Sequence, residues 1–475
     1  MRSRQEQVQA HRFITRRIVS GLLTGEPETT ELPMRRFGLA LFGSVMVAAI
    51  AFAVVGVIGL VNPGGGKPES GELIIMRETG ARYVLADNTL HPVLNWSSAL
   101  LFAGTEAPAV RQMSRDSLSV YPIGAPIGIP GAPDPPPDRG SLLPLPWSVC
   151  SSAPSTAAAR PTTAVVVGRT PTGGNRLGAD GGLLVATPSD SSGPSTLYVI
   201  FGDRRYRIPG PRTQTALGLA STTPIVVGKA LLNSISAGPT LAAPFVADAG
   251  KPSDKRVAGE VGVIGKVYRS GTQRYVLTRY GLATIGEVSA KLLLADDPHE
   301  IEISAVEAAD ATVKQRVETP GFPASLPPIP TRPDGVSMVC AIHDGKQKGD
   351  VTATVLHYGS GAEQLPTEAG PGGGQESDGV RTADRVVVAS GKGALVKALP
   401  APDVQADTTV YLVTDQGYKH PIRSTGQVNA LAALGYAGVA PVPVPSTLLA
   451  LVPNGPVLDP DAAQRFYRPM PRSSG

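Results

Sequence analysis

The sequence predicts an α+β membrane protein with a cytosolic N-terminal helix, one transmembrane helix and a large extracytoplasmic region. Three observations lead to this fold class. One long apolar run near the N-terminus carries no charge, four later segments share a β-hairpin pattern, and 54 Gly and 46 Pro among 475 residues suit short strands joined by turns. Only 5% of the residues are aromatic, so Val, Leu, Ile and Ala must form most of the core.

The composition excludes several classes of protein. The 43 basic and 39 acidic residues leave a formal net charge of +4, which is too dilute for a dedicated nucleic-acid binder, so no nucleic-acid partner is expected. Gly and Pro together stay below the ~25–30% that is typical of wholly disordered chains. The length allows about three domains at ~150 residues each, or fewer when repeats share a core.

The first elements are a cytoplasmic arm, residues 1–36, and a transmembrane helix, Phe37–Val61. A helix rising ~1.5 Å per residue spans the ~30 Å hydrocarbon layer over that length. Arg35 and Arg36 adjoin the span in an Arg-rich arm, which favours a single-pass inner-membrane topology with the N-terminus in the cytoplasm. A cleaved signal peptide is the alternative, but it normally has an apolar region of ~7–15 residues and a small-residue cleavage site, which the sequence after Val61 lacks.

After a linker at 62–71, four segments share a strand, a Gly-containing turn and a Tyr that leads into a second strand. An Ala- and Leu-rich stretch suited to a short helix follows each hairpin, and two such stretches end in matching strings, LLNSISAGPTL at 231–241 and LLALVPNGPVL at 448–458. This self-similarity indicates repeated units, although chance likeness of Gly/Pro turns is an alternative for the first and third segments. The tyrosines that mark the hairpin register are Tyr83, Tyr206, Tyr275 and Tyr418.

The same patterns predict the domain boundaries. Short apolar runs on both sides of the second and third repeats indicate a central β-rich domain, and a Pro-rich stretch suits an extended linker. The boundaries are 72–121 for repeat 1, 122–190 for the Pro-rich segment and the first part of the central domain, 191–245 for repeat 2, 256–300 for repeat 3, 301–403 for the second part of the central domain, 404–465 for repeat 4 and 466–475 for the tail.

The chain has two cysteines, Cys150 and Cys340, each at the end of a short apolar stretch. Both lie on the predicted extracytoplasmic side, where disulfides persist, so we predict a disulfide bond rather than two buried thiols. The bond would tie together two segments that are far apart in sequence. His343 follows Cys340 closely, but a zinc site needs about four ligands and the chain has no further cysteine, so no metal site is expected.

Together these features resemble the EccB family, the single-pass membrane component of actinobacterial type VII (ESX) secretion systems. The resemblance covers essentially the whole chain and implies a secretion-channel subunit. The implied partners are the motor ATPase EccC, the multispanning EccD, EccE and a mycosin protease, with self-association through the periplasmic repeats. It rests on the opening string RSRQEQVQAHRFITRRIVSGLL, the Arg-bounded span, the string from Gly80 to Leu101, the element Leu145–Cys150 and the pair Val339–Cys340.

Three functions follow from this resemblance: a structural channel subunit, an ATP hydrolase, and an anchor that contacts peptidoglycan. The structural role is favoured, because Ala10, Ile14, Ile18 and Leu22 form an apolar stripe on the arm that suits a partner helix or a membrane surface. The alternative reading of the arm is that it only carries charges that set the topology.

The ATP hydrolase has weak support in the residues. Some family members carry an ATPase label, so ATP is a cofactor by family label only. A phosphate-binding Walker A motif ends in Gly-Lys followed by Ser or Thr, and none of the Gly-Lys pairs here is completed in this way, at 66/67, 228/229, 265/266 and 391/392. No catalytic residue is predicted, since the six His are scattered and no Gly-x-Ser-x-Gly elbow occurs.

Overall fold

The structure is a computed structural model that describes residues 4–25, 33–61, 67–154, 159–177, 181–189, 194–331, 335–345, 353–359, 361, 363–366, 368–377, 380–399 and 409–467. A 3₁₀ turn covers Arg139–Ser141. The α-helices within these residues are α1 Arg4–Thr24, α2 Pro33–Val61, α3 Trp96–Ala103, α4 Arg115–Leu118, α5 Pro211–Ala216, α6 Lys229–Ser234, α7 Glu287–Leu293, α8 Ala305–Ala311, α9 Ala430–Ala433, α10 Ser446–Leu449 and α11 Pro460–Ala463.

The strands are short, as the turn-rich composition predicts. They are β1 Leu73–Met76, β2 Arg82–Ala86, β3 Thr89–Pro92, β4 Val110–Met113, β5 Trp147–Ser152, β6 Thr162–Val166, β7 Gly174–Arg176, β8 Gly182–Ala186, β9 Leu197–Phe201, β10 Arg204–Ile208, β11 Ile225–Val226, β12 Ser236–Ala237, β13 Pro252–Val257, β14 Glu260–Val263, β15 Val267–Ser270, β16 Gln273–Thr278, β17 Gly281–Ile285, β18 Ile301–Glu302, β19 Thr312–Arg316, β20 Met338–His343, β21 Thr354–Tyr358, β22 Glu376–Ser377, β23 Val380–Arg381, β24 Arg385–Val387, β25 Gly393–Leu399, β26 Val410–Thr414, β27 Lys419–Ile422 and β28 Val442–Pro445.

The long helix α2 contains the predicted membrane span. It begins at Pro33, four residues before the predicted start, and proline suits the first position of a helix because its missing N–H would have no partner there. Within α2, Gly38–Val57 has a mean hydropathy of 2.5 and is not buried within the protein, so its length and composition suit a membrane span. Several predicted features lie outside the described parts of the chain: linker residues 62–66, tail residues 468–475, and the side chains of Arg35, Arg36, Phe37 and Val61.

The chain forms two compact units. One contains Met1–Pro92 and Ala109–Gly124, and the other contains Val93–Pro108 and Ala125–Gly475. In the first unit, a sheet of order β3-β2-β1-β4 encloses a small core that includes Ile74, Leu85 and Leu90. The turn between β2 and β3 places Asp87 and Asn88 at φ 46° and 59°, the left-handed conformation that a type I′ hairpin turn requires of its two central residues.

Four sheets share one strand order, which supports the predicted repeats. In each sheet, three consecutive strands pair antiparallel and a fourth strand pairs parallel with the first. A helix lies between the third and fourth strands in sequence, because parallel neighbours need a crossover connection. A fifth segment then pairs parallel with the third strand. The four orders are β4-β1-β2-β3, β11-β8-β9-β10-β12, β18-β15-β16-β17-β19 and β28-β25-β26-β27.

Three of the predicted repeat boundaries divide a sheet and are therefore corrected. The strand β8, predicted to belong to the central domain, is the first strand of the second repeat sheet. Likewise β25 is the first strand of the fourth repeat sheet, and β18 and β19 complete the third. The apolar run at β8 predicts a strand, but the choice of sheet depends on hydrogen bonds to residues distant in sequence.

The central domain is a six-stranded sheet of order β24-β6-β5-β20-β21-β7. Its strands β5, β6 and β7 precede the second repeat sheet in sequence, and β20, β21 and β24 follow the third. One face packs Val149, Val165 and Val339 into the largest core, which also includes residues of the second and fourth repeats. The other face forms a separate cluster around Cys150 and Cys340.

Candidate functional site

The predicted cysteine pair lies on the two middle strands of the central sheet. Cys150 of β5 is directly opposite Cys340 of β20, and the two residues form a disulfide with their Cα atoms 4.0 Å apart. Both side chains are buried in the cluster that includes Met338, Ile342 and Tyr358. The predicted disulfide is therefore confirmed, and it joins residues 190 positions apart in sequence.

The imidazole of His343 lies on the other face of this sheet. Side chains alternate between faces along a strand, so a residue three positions after Cys340 points away from the disulfide. His343 is paired across the strands with Trp147, and within the described residues neither ring nitrogen has a hydrogen-bond partner. Burial lowers the pKa of His343 to about 4 although Asp344 opposes the shift, so the ring is neutral at physiological pH.

Cys340 and His343 are close in sequence but lie on opposite faces of the central sheet. Cys340 is oxidised and faces one core, while His343 is buried in the other, so they cannot share a metal ion. Within the described parts of the chain, no group of three or more His, Cys, Asp or Glu side chains has a spacing suited to a metal.

In three of the Gly-Lys pairs, the backbone N–H of the glycine donates a hydrogen bond to another group of the protein. Gly228 N donates to Ser151 Oγ at 2.9 Å, and Gly391 N donates to a carboxylate oxygen of Asp415 at 2.8 Å. Gly265 N donates to the carbonyl oxygen of Leu277 at 2.8 Å. A phosphate-binding loop needs such N–H groups free to surround the phosphate oxygens. The pair at 66/67 lies partly outside the described residues.

The four tyrosines expected to share one register occupy two different strand positions. Tyr83 and Tyr275 lie on the second strands of their sheets, β2 and β16. Tyr206 lies on a third strand, β10, and Tyr418 directly precedes the third strand β27. The predicted common register is therefore wrong, because similar hairpins occur twice within each three-stranded meander.

The matching strings at 231–241 and 448–458, which begin within α6 and α10, occupy equivalent places in their sheets. Gly238 N donates to Arg205 O of β10, and Gly455 N donates to Lys419 O of β27, both at 2.8 Å. Three residues later in each string, Leu241 N and Leu458 N donate to the same two strands at 2.9 and 2.8 Å. These hydrogen bonds align the second repeat with the fourth repeat, one residue against one residue.

The alignment explains why both strings contain a glycine. A Cβ atom on Gly238 would lie 2.4 Å from the ring of Tyr206, and one on Gly455 would lie 2.3 Å from the ring of His420. Both rings are buried, so neither can move aside at low cost. Tyr206 therefore matches His420 in the fourth repeat, and the sequence-based match to Tyr418 is two residues out of register.

Tyr418 instead lines a cavity of about 390 Å³. Arg385 of β24 and Asp415 of the β26–β27 turn also line it, together with a Gly-rich turn at 370–374. Nearby Asp384 accepts a hydrogen bond from Thr163 N at 2.7 Å, which fixes β24 against β6. Sequence reasoning did not single out this group, because its residues come from separate segments that only the fold brings together.

The side chains of the apolar stripe on α1 are exposed. Ile14, Ile18 and Leu22 have exposed fractions of 55%, 56% and 80%. Ala10 lies on the same helix and is also exposed. This surface is suited to contact with an apolar partner or with lipid.

Comparison with known proteins gives consistent results. A family model described as "Type VII secretion system ESX-1, transport TM domain B" matches residues 2–469. The ESX-3 secretion system ATPase EccB3 of Mycobacterium tuberculosis is 28% identical, over 96% of this chain and 88% of its own.

Two solved structures share the fold. A chain of an intact ESX-5 inner membrane complex aligns with a TM-score of 0.66 and 24% identity, over 100% of this chain and 97% of that chain. The EccB3 dimer from the ESX-3 core complex aligns with a TM-score of 0.64 and 22% identity, over 83% of this chain and 100% of that chain.

Proposed function

The chain belongs to the EccB family of type VII secretion components, and we propose that it is a structural subunit of an ESX secretion channel in the inner membrane. The family match over residues 2–469 carries the proposal, because it includes both the anchor helix and the outer sheets. The architecture suits a scaffold: one membrane helix connects a short arm to four sheets of the same order and a central sheet.

In the proposed topology, residues 1–36 are cytoplasmic and the sheets lie outside the membrane. The Arg-rich arm supports this orientation through the positive-inside rule. The disulfide supports it independently, because such bonds persist in oxidising compartments and are rare in the cytosol.

A labelling experiment tests this topology. In a Cys150→Ala/Cys340→Ala background, Phe245→Cys places one thiol on the outer region, at a site that is 89% exposed. A membrane-impermeant maleimide should label this variant in intact cells and should label Gln9→Cys only after lysis. Labelling of Gln9→Cys in intact cells would refute the orientation.

The proposed partners are EccC, EccD, EccE and a mycosin protease, together with a second copy of this chain. Two solved chains of similar fold support association: one belongs to an inner membrane complex and the other is a dimer. On this chain, the α1 stripe of Ile14, Ile18 and Leu22 is the proposed cytoplasmic contact, since three large apolar side chains are exposed there.

Co-purification from the native membrane tests the assembly. Ile14→Glu/Ile18→Glu should reduce recovery of the other subunits, because buried carboxylates at a contact are costly. Gln5→Glu/Gln9→Glu adds the same charge to exposed polar positions on the opposite side of α1 and should leave recovery unchanged. Equal recovery for both variants would show that the stripe is not a contact.

Several relatives are named ATPases, so intrinsic hydrolysis is the competing function. The backbone N–H groups of Gly228, Gly265 and Gly391 already donate to protein acceptors, which argues against a phosphate-binding loop at those positions. A hydrolysis assay on the same purified sample separates the two functions. Activity that follows the motor subunit across purification fractions supports the structural role, whereas activity that follows this chain alone overturns it.

A further inference from the structure

We propose that a basic pocket on the second repeat sheet binds an oxyanion, a carboxylate or phosphate group carried by another molecule. The pocket has a volume of about 290 Å³ and is lined by Arg205, Arg207 and Lys229, with Tyr198 and Asn233 among its neutral residues. No acidic side chain lines it within the described part of the chain. This inference does not depend on the proposed channel role.

The strand geometry places the two arginines side by side. Arg205 and Arg207 are alternate residues of β10, so their side chains leave the same face about 7 Å apart, at ~3.3 Å per residue. Their cross-strand partners on β9 are Ile200 and Tyr198. Ile200 is fully buried in the largest core and Tyr198 packs against that core, so both arginines lie on the face of the sheet that carries this core, where Arg205 is half-buried and Arg207 is exposed.

The guanidinium of Arg205 is half-buried without a carboxylate partner among the described residues. Its Nε donates to the carbonyl oxygen of Ile235 at 3.2 Å, and its Cζ lies 5.6 Å from the centre of the Tyr198 ring. Burial lowers the pKa of Arg205, which means that the surroundings disfavour its charged form. A partly desolvated charge of this kind is stabilised most by a charge of opposite sign.

The fold does not require the second arginine. In the fourth repeat, Lys419 occupies the position of Arg205 and likewise donates to the end of a helix, from Nζ to Leu449 O at 2.7 Å. The position of Arg207 is taken there by Pro421, as the hydrogen bonds from Leu241 and Leu458 show. Helix capping therefore accounts for Arg205 in part but leaves Arg207 unexplained.

Two other arginines of the outer region are paired with carboxylates. Arg111 lies 2.9 Å from Glu72, and Arg169 lies 2.6 Å from Glu363. Arg207 has no ion pair with a described residue. Two planar guanidinium groups on one face are suited to bidentate hydrogen bonds with a carboxylate or phosphate, and the pocket is large enough for one such group.

The test uses the full-length protein in detergent and two probes, inorganic phosphate and a triglutamate peptide, titrated by calorimetry at constant ionic strength. Arg207→Gln should weaken binding of whichever probe binds by about tenfold to a hundredfold, since it removes charge-assisted hydrogen bonds. Arg204→Gln is the matched control: it removes the same charge from the same strand but on the opposite face, and binding should not change.

Each outcome decides the proposal. Binding of phosphate alone, or of the peptide alone, supports it and identifies the phosphate or the carboxylate source. Arg207 is exposed, so its variant should unfold at the same denaturant concentration as the native protein. If neither probe binds, or if Arg204→Gln weakens binding as much as Arg207→Gln, the proposal is overturned.

Discussion

Replacing both Cys150 and Cys340 by alanine should destabilise the central sheet mainly through the unfolded chain. The disulfide closes a loop of 190 residues. With loop-closure entropy of −2.1 − 1.5R ln n, a loop of that length corresponds to about 5 kcal/mol at 25 °C. This is an upper value, because the unfolded chain retains some compact structure.

The folded sheet should survive the substitution. The strands β5 and β20 form six residue pairs, from Trp147–His343 to Ser152–Met338. The disulfide spans one pair in this ladder and adds no backbone hydrogen bond. Removing the disulfide therefore raises the conformational entropy of the unfolded chain, while most contacts of the folded sheet remain.

Urea unfolding of the full-length protein in detergent measures the effect. Trp147 is buried on β5 and reports on this sheet, and Trp96→Phe removes the other tryptophan. The alanine pair should lower the unfolding midpoint, and reductant should lower the midpoint of the parent protein by a similar amount. Reductant should not affect the alanine variant. An unchanged midpoint in both comparisons would refute the entropic reasoning.

Two further predictions concern buried rings. Gly455→Ala should destabilise the fourth repeat by about 1–3 kcal/mol, because the new methyl group would meet the ring of His420, whereas Gly426→Ala has open space and should be neutral in the same urea titration. Lowering the pH from 7 to 4 should destabilise the central sheet. The pKa of His343 is about 4 when folded and 6.5 when unfolded, so the unfolded state binds more protons and stability rises with pH across this window. The histidine contributes about 3 kcal/mol of this change, which should be absent from His343→Phe; an identical pH profile for that variant would contradict the assignment.

Residue patterns were sufficient where a feature depends on local chemistry. The membrane helix follows from a run without charge, and its presence as one long apolar helix in the structure needs no distant contact. The disulfide followed from compartment and cysteine number, and only one pairing was available. The matching strings at 231–241 and 448–458 also identified equivalent positions, because each must place a glycine against a ring.

The candidate sites were harder to predict. Arg207 is one arginine among many in the sequence, and nothing nearby shows that it lines the same pocket as Arg205. The cavity beside Tyr418 likewise combines a Gly-rich turn, an edge strand and a hairpin from three segments. Such groups arise from packing, so no local pattern could identify them.

The sequence by itself determined the anchor, the disulfide and the presence of repeated hairpins. Only the tertiary structure decided which strands share a sheet, as β8 and β25 illustrate. It also decided which ring each glycine meets, as Tyr206 and His420 replace the expected pairing of Tyr206 with Tyr418. The physical reason is that a strand's alternation records which face is buried, whereas its neighbours are chosen by hydrogen bonds and packing across long separations in the chain.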